Sequence, residues 1–167
     1  MGVLGKLVDA ILLIFFFVVF VAAPLIDSQT CLPSHIFPGF LVDLHAWYSR
    51  EYGDYLLVEK PHFFVGLVWL ELLFQWPLSL INIFGILGGK SWVGTTCLIY
   101  GVSLMSSLAA VMAEVNRSGK ASEKLLKMYS PFIGFAVLAF LRGLFTTCGK
   151  SSSGNGRRLI PARKKRA

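Results

Sequence analysis

The most informative side chain in this sequence is an acid placed where lipid is expected. Glu71 lies inside a long apolar run, His62 to Phe84. An ionisable group there is costly unless it faces a protein interior and keeps a proton or meets a hydrogen-bond donor. Gln75, Ser79 and Asn82 follow it at intervals of four, four and three residues, which puts all four polar side chains on one stripe of one helix. The next apolar run carries Thr96, Tyr100, Ser103 and Ser107 at the same kind of spacing. Two polar stripes on adjacent helices joined by a short loop can face each other and line a shared interior. Interhelical hydrogen bonding is reason enough for the Ser, Thr and Asn members. It does not call for an ionisable group, so Glu71 points to a site. Pro77 withholds a backbone donor two residues after Gln75, which predicts a kink and room beside the stripe.

Two more acids stand at the edges of apolar segments. Asp27 directly follows Ile26, and Asp54 follows Gly53. Spacing alone reads both as solvated boundary residues. Were folding to bring them to one cavity mouth, repulsion would favour a single shared proton and leave one negative charge suited to an amine. His35, His45 and His62 fall in the same loop or at its end, and Cys31, Cys97 and Cys148 have no metal-ligand spacing. No metal, cofactor or disulfide is therefore expected. Cys148, just after the last apolar run, could accept palmitate, although an incidental thiol is the simpler reading.

The elements that must position these groups follow from composition. Of 167 residues, 55% are apolar and 14% aromatic, more than a soluble core of this size can hide. The apolar residues come in four blocks, Leu7 to Ile26, His62 to Phe84, Trp92 to Ala113 and Met128 to Phe145. Each is close to the roughly 20 residues a helix needs to cross a bilayer. Without barrel-type alternation the backbone can satisfy itself in hydrocarbon only as helix. The expected fold is an all-α membrane protein, a four-transmembrane-helix bundle over residues 1–148, with a basic tail over 149–167 that is Ser, Gly, Arg and Lys rich and read as disordered. The first block could be a cleaved signal peptide, with Lys6 ahead of it and Ala22 and Ala23 as small residues, but Pro24 makes that junction a poor cleavage site. Lys6 also stands where a myristoylation motif needs Ser or Thr.

The net charge of +7 comes largely from Arg157, Arg158, Arg163, Lys164, Lys165 and Arg166. Basic charge confined to a tail beside a span indicates anionic membrane lipid rather than nucleic acid as its partner, and places both termini in the cytosol. The long Asp27 to Pro61 loop is then luminal. Within it Phe40, Leu41, Leu44, Trp47 and Tyr48 recur at helical spacing between Pro38 and Gly53. This predicts a short luminal helix, too polar to span, lying in the interface or capping the bundle. The Glu114 to Lys127 loop would also be luminal and carries the sequon Asn116-Arg117-Ser118, close to the membrane and read as a chance occurrence.

Several separated motifs in one order carry a family resemblance. They are Pro24-Leu25-Ile26-Asp27-Ser28-Gln29, Leu32-Pro33, Trp47-Tyr48-Ser49-Arg50-Glu51-Tyr52-Gly53-Asp54-Tyr55-Leu56-Leu57, Glu71-Leu72-Leu73-Phe74-Gln75-Trp76-Pro77, Leu98-Ile99-Tyr100 and Tyr129-Ser130-Pro131-Phe132. Together they resemble the sigma-2 receptor branch of the EXPERA superfamily, which also includes the emopamil-binding sterol isomerases. The resemblance implies a four-helix endoplasmic reticulum membrane protein with a role in sterol and lipid homeostasis. Its buried pocket would open sideways to lipid and bind sterol-like or cationic amphiphilic molecules. Asp27 would pair with the ligand amine, Asp54 would hydrogen-bond Asp27, and Glu71 and Gln75 would line the polar side with Tyr129 nearby. Lys164-Lys165-Arg166-Ala167 is similar to a dilysine retrieval signal.

Two other functions stay open. A sterol Δ8-Δ7 isomerase needs an acid and a base in an apolar pocket. The related isomerases place a histidine one turn before the glutamate, where this chain has Leu67, so binding is favoured over catalysis. A structural or chaperone-like membrane partner is the third reading. A homodimer is expected only because small bundles commonly pair.

Overall fold

The structure, a computed structural model, describes residues 3–120 and 122–153. Helix α1 runs Val3–Leu25 and is followed by two single 3-10 turns, Asp27–Thr30 and Ser34–Ile36. Then come α2, Gly39–Tyr52, and the one-turn α3, Tyr55–Glu59. The second span is built from α4, His62–Leu70, a π-helical turn Glu71–Gln75, and α5, Trp76–Leu87. Helices α6, Val93–Arg117, and α7, Glu123–Ser153, complete the bundle. No strand occurs among the described residues. Four segments are long and apolar enough to cross a membrane, Val3–Thr30, His62–Leu87, Val93–Arg117 and Glu123–Thr146. The protein is a multi-pass, all-α membrane protein.

The spans outlast the apolar blocks at several ends, because helical hydrogen bonding continues where hydropathy fades. Helix α6 continues through Arg117, so Asn116 sits on its last turn rather than in a loop. Asp9 and Arg142 stand inside α1 and α7. The expectations for the Cys148 side chain and for the basic tail with Lys164 and Lys165 fall outside the described residues.

Helix α2 begins after Pro38 and ends at Gly53, whose φ of +64° is the left-handed conformation that closes a helix, its N–H bonding the Ser49 carbonyl. Asp54 caps α3 by accepting the Leu56 N–H at 3.1 Å. Together α2 and α3 form a cap over one end of the bundle. Ser122 fastens it by donating to the Tyr52 carbonyl at 2.8 Å while accepting the Leu125 N–H at the start of α7. Lys120–Glu59 and Lys124–Glu51 pairs bridge the same seam, but being exposed they contribute little.

The core lies between spans that approach closely. A Cβ built on Gly101 of α6 would stand 2.5 Å from the Phe140 backbone nitrogen of α7. One on Gly143 of α7 would stand 2.6 Å from the Gly94 carbonyl. Where no hydrophobic effect drives helices together in lipid, such small-residue contacts supply the packing. Helix α1 packs on α5 and α7. Phe15 stacks on Phe135 with centroids 4.5 Å apart, and Phe16 meets Tyr100 edge-on at 4.9 Å, an aromatic layer beneath the capped half.

Candidate functional site

The site starts from Pro77. Its nitrogen cannot bond the Leu73 carbonyl and its ring crowds that group. The preceding turn widens in response, the Trp76 N–H reaching back five residues to the Glu71 carbonyl. Such π-turns mark functional positions more often than plain helix does. The kink expected from Pro77 thus takes the form of a wide turn whose first and last residues are Glu71 and Gln75. Trp76 anchors the widened span to α1, donating to the Phe20 carbonyl at 2.9 Å and stacking on the Phe20 ring.

The two polar stripes face each other as their spacing predicts. Gln75 Nε2 donates to Ser103 Oγ at 3.0 Å and to Ser107 Oγ at 3.3 Å. Thr96 donates to Asn82 Oδ1 at 2.6 Å, and Ser79 to the Trp76 carbonyl at 2.6 Å. Gln75, Ser79 and Asn82 are all buried. Glu71 takes no part in these bonds. It lines a cavity of about 310 Å³ enclosed by the spans and the cap.

That cavity brings together Asp27, Asp54, Glu71, Gln75 and Tyr129, from the end of α1, the α2–α3 junction, the second span and α7. Asp54 is 1% exposed. Its Oδ1 accepts the Leu56 N–H at 3.1 Å and its Oδ2 accepts the Tyr129 hydroxyl at 3.1 Å. Burial pushes the Asp54 carboxyl above its usual range, with the Tyr129, Leu56 and Leu57 hydrogen bonds opposing the shift. Asp27 is close enough to both Glu71 and Asp54 to feel their charge. Among the described residues, no group donates a hydrogen bond to the Asp27 carboxylate.

The rest of the wall is mostly apolar, with Val19, Leu57, Phe64, Val68, Leu108 and Val111 all buried. Trp47 and Tyr48 of the short helix α2 also line the cavity. Tyr48 donates to Met128 Sδ at 3.0 Å. Its phenol is pushed above the usual range, first by burial and then by Asp54 and Asp27, so it remains a neutral donor. Among lining residues, Val18 of α1 and Leu44 and Trp47 of α2 are 51, 42 and 54% exposed. These exposed lining side chains put the cavity's rim beside α1 and the cap. His35, His45 and His62 stay outside the lining, and the one-turn-earlier neighbour of Glu71 is Leu67, a lining residue.

A further polar pair joins the first and last spans. Arg142 of α7 holds Asp9 of α1 in a bidentate bridge, Nε to Oδ1 at 2.6 Å and Nη2 to Oδ2 at 3.1 Å. Their side chains are 10% and 17% exposed. Opposite charges inside two different apolar blocks are the signal the sequence carries for it.

With this geometry in view, residues 40–143 match the family model EXPERA, the expanded EBP superfamily. The matched stretch includes Asp54, Glu71, Gln75 and Tyr129 and begins after Asp27. The chain is 24% identical over 159 residues to the protein named Sigma intracellular receptor 2 of Xenopus tropicalis, covering 87% of this chain and 93% of that one. It is 30% identical over 133 residues to the Homo sapiens protein of the same name, covering 69% of this chain and 76% of the relative. The Macaca fascicularis protein is 29% identical over 133 residues with the same coverage.

Proposed function

Because the chain belongs to the EXPERA family, the expanded EBP superfamily, we propose that its cavity binds sterol-like or cationic amphiphilic molecules taken up from the bilayer. The observation that carries this reading is the collection of three carboxylates in one apolar cavity, where Asp54 is held by hydrogen bonds and, among the described residues, neither Asp27 nor Glu71 has a hydrogen-bond donor. An apolar pocket with a few convergent polar groups is the usual form of a small-molecule site. A ligand's apolar body would lie against Val19, Phe64, Val68 and Leu108, and its ammonium would meet Asp27. Asp54, held by Tyr129 and Leu56, would shape the field at that carboxylate, and Glu71 and Gln75 would receive a hydroxyl or amide further in. Endoplasmic reticulum residence, cytosolic termini and a part in sterol and lipid homeostasis belong to the same proposal. The basic residues after the last span support the cytosolic placement.

We read the site as binding rather than catalysing. Isomerisation of a sterol alkene needs a proton donor and an acceptor on opposite sides of the reacting carbons. The position one turn before Glu71 is occupied by Leu67. Restored sterol isomerisation on supplying this chain to an isomerase-deficient cell would overturn that part of the proposal.

The direct test is binding of a tertiary-amine amphiphile and of its neutral carbon isostere to the wild type and to Asp27→Asn. Loss of one charge-assisted contact weakens the amine by about tenfold or more and leaves the isostere unchanged. An amine affinity equal to wild type removes Asp27 from the site.

A further inference from the structure

The Asp27 carboxylate has no hydrogen bond of its own to hold it, so its place in the cavity is set by the backbone turn that carries it. That turn, Asp27–Thr30, is braced from three sides. Ser28 Oγ donates back to the Pro24 carbonyl at 2.6 Å, tying the turn to the end of α1. Gln29, 6% exposed, donates its carboxamide to the Leu25 carbonyl at 2.7 Å and to the Leu41 carbonyl of α2 at 3.2 Å. Gln29 thus joins the end of the first span to the first turn of the cap. The third brace comes from Lys60, whose Nζ donates to the Gln29 carbonyl at 3.1 Å across 31 residues. Lys60 is itself held in the left-handed region, at φ +47°, where it closes α3 ahead of Pro61. A lysine in that conformation is uncommon, and it persists only where its surroundings determine it.

We propose that Gln29 and Lys60 are the positioning residues of the amine site, fixing the Asp27 turn against both the cap and the α3–α4 corner so that the carboxylate is preorganised for a cation. This rests on the reading of Asp27 given above. Neither residue lines the cavity, so each acts through the turn. A preorganised charge loses affinity for its partner when its support loosens, whereas a ligand held by apolar contact alone does not. The proposal therefore concerns the ratio of amine to neutral affinity and not affinity in general.

The test measures the tertiary-amine amphiphile and its neutral isostere against Gln29→Met and Lys60→Met in detergent or nanodiscs, with Asp27→Asn beside them. Gln29→Met keeps side-chain volume and removes both donors. Lys60→Met keeps the strained φ and removes only the ammonium, so it serves should the buried change prevent folding. Each variant is expected to lower the amine-to-neutral ratio about fivefold, the scale of one lost hydrogen bond, with neutral binding within about twofold of wild type. A wild-type ratio in Lys60→Met, or equal weakening of both ligands, overturns the positioning role. If Asp27→Asn also keeps the wild-type ratio, the amine site itself fails. If Asp27→Asn loses the preference and the other two keep it, only the positioning role fails.

Discussion

The Asp9–Arg142 bridge offers a sharp test of how this bundle holds together. Its two partners lie 133 positions apart, on the first and last spans, and the guanidinium engages both carboxylate oxygens, at 2.6 and 3.1 Å. With side-chain exposures of 10% and 17%, removing one partner strands the other in a poor solvent, a loss of about 3–5 kcal/mol for a buried pair. For a chain of this size, about 2–4 °C per kcal/mol converts that into a melting shift of about 6–20 °C. The two single variants should differ. Asp9→Leu leaves an arginine with a long stem that can reach toward the membrane surface, whereas Arg142→Leu leaves a short acid that cannot. Arg142→Leu should therefore melt lower. The double variant Asp9→Leu/Arg142→Leu replaces the pair by apolar contact and should recover to within about 1 kcal/mol of wild type. Thermal unfolding of the four proteins in one detergent closes the double-mutant cycle. Single variants within about 0.5 kcal/mol of wild type, or a double variant no better than the worse single, would refute the assignment of a coupled buried pair.

Gly101→Ala places a methyl 2.5 Å from the Phe140 nitrogen and 3.0 Å from the Ala136 carbonyl, both backbone atoms that cannot swing aside, so unfolding measurements should record a loss of about 1–3 kcal/mol. An unchanged melt would show that α6 and α7 separate freely. Pro77→Ala restores the missing backbone donor and lets the Glu71–Gln75 turn revert toward α-helix; the variant should melt higher and bind the amine amphiphile less tightly, and tighter binding would sink this account of the wide turn. His45 resists protonation, first through burial and then through Lys60, which lowers its pKa from the ordinary 6.5. The unfolded chain then binds the proton that the folded one refuses, so stability falls as pH drops below about 6.5. Asp54, its pKa raised by burial, acts in the opposite sense. Melting temperature followed from about pH 7.5 to 5.5 should fall more, or rise less, in the wild type than in His45→Leu, and identical slopes would exclude a contribution from His45.

Much of this protein is legible in its residues because lipid imposes simple demands. Four unbroken apolar blocks had to become helices, since no other conformation satisfies a backbone in hydrocarbon. Pro38 and Gly53 bound α2 through a fixed φ and a permitted positive one. The Glu71–Gln75–Ser79–Asn82 and Thr96–Tyr100–Ser103–Ser107 stripes follow from helical period alone, and their facing one another follows from the short loop between them. Other features depend on side chains far apart in the chain. Spacing reads Asp27 and Asp54 as boundary residues, and only the folding of α2 and α3 back over the bundle turns both toward one cavity. Tyr129 meets Asp54 across 75 residues, and Asp9 meets Arg142 across 133. Periodicity speaks of one element at a time and determined which face of each helix is polar. Which polar faces meet, and whether they enclose space or close on one another, was decided by packing at glycines and by the wide turn before Pro77, because both depend on how near two backbones can come.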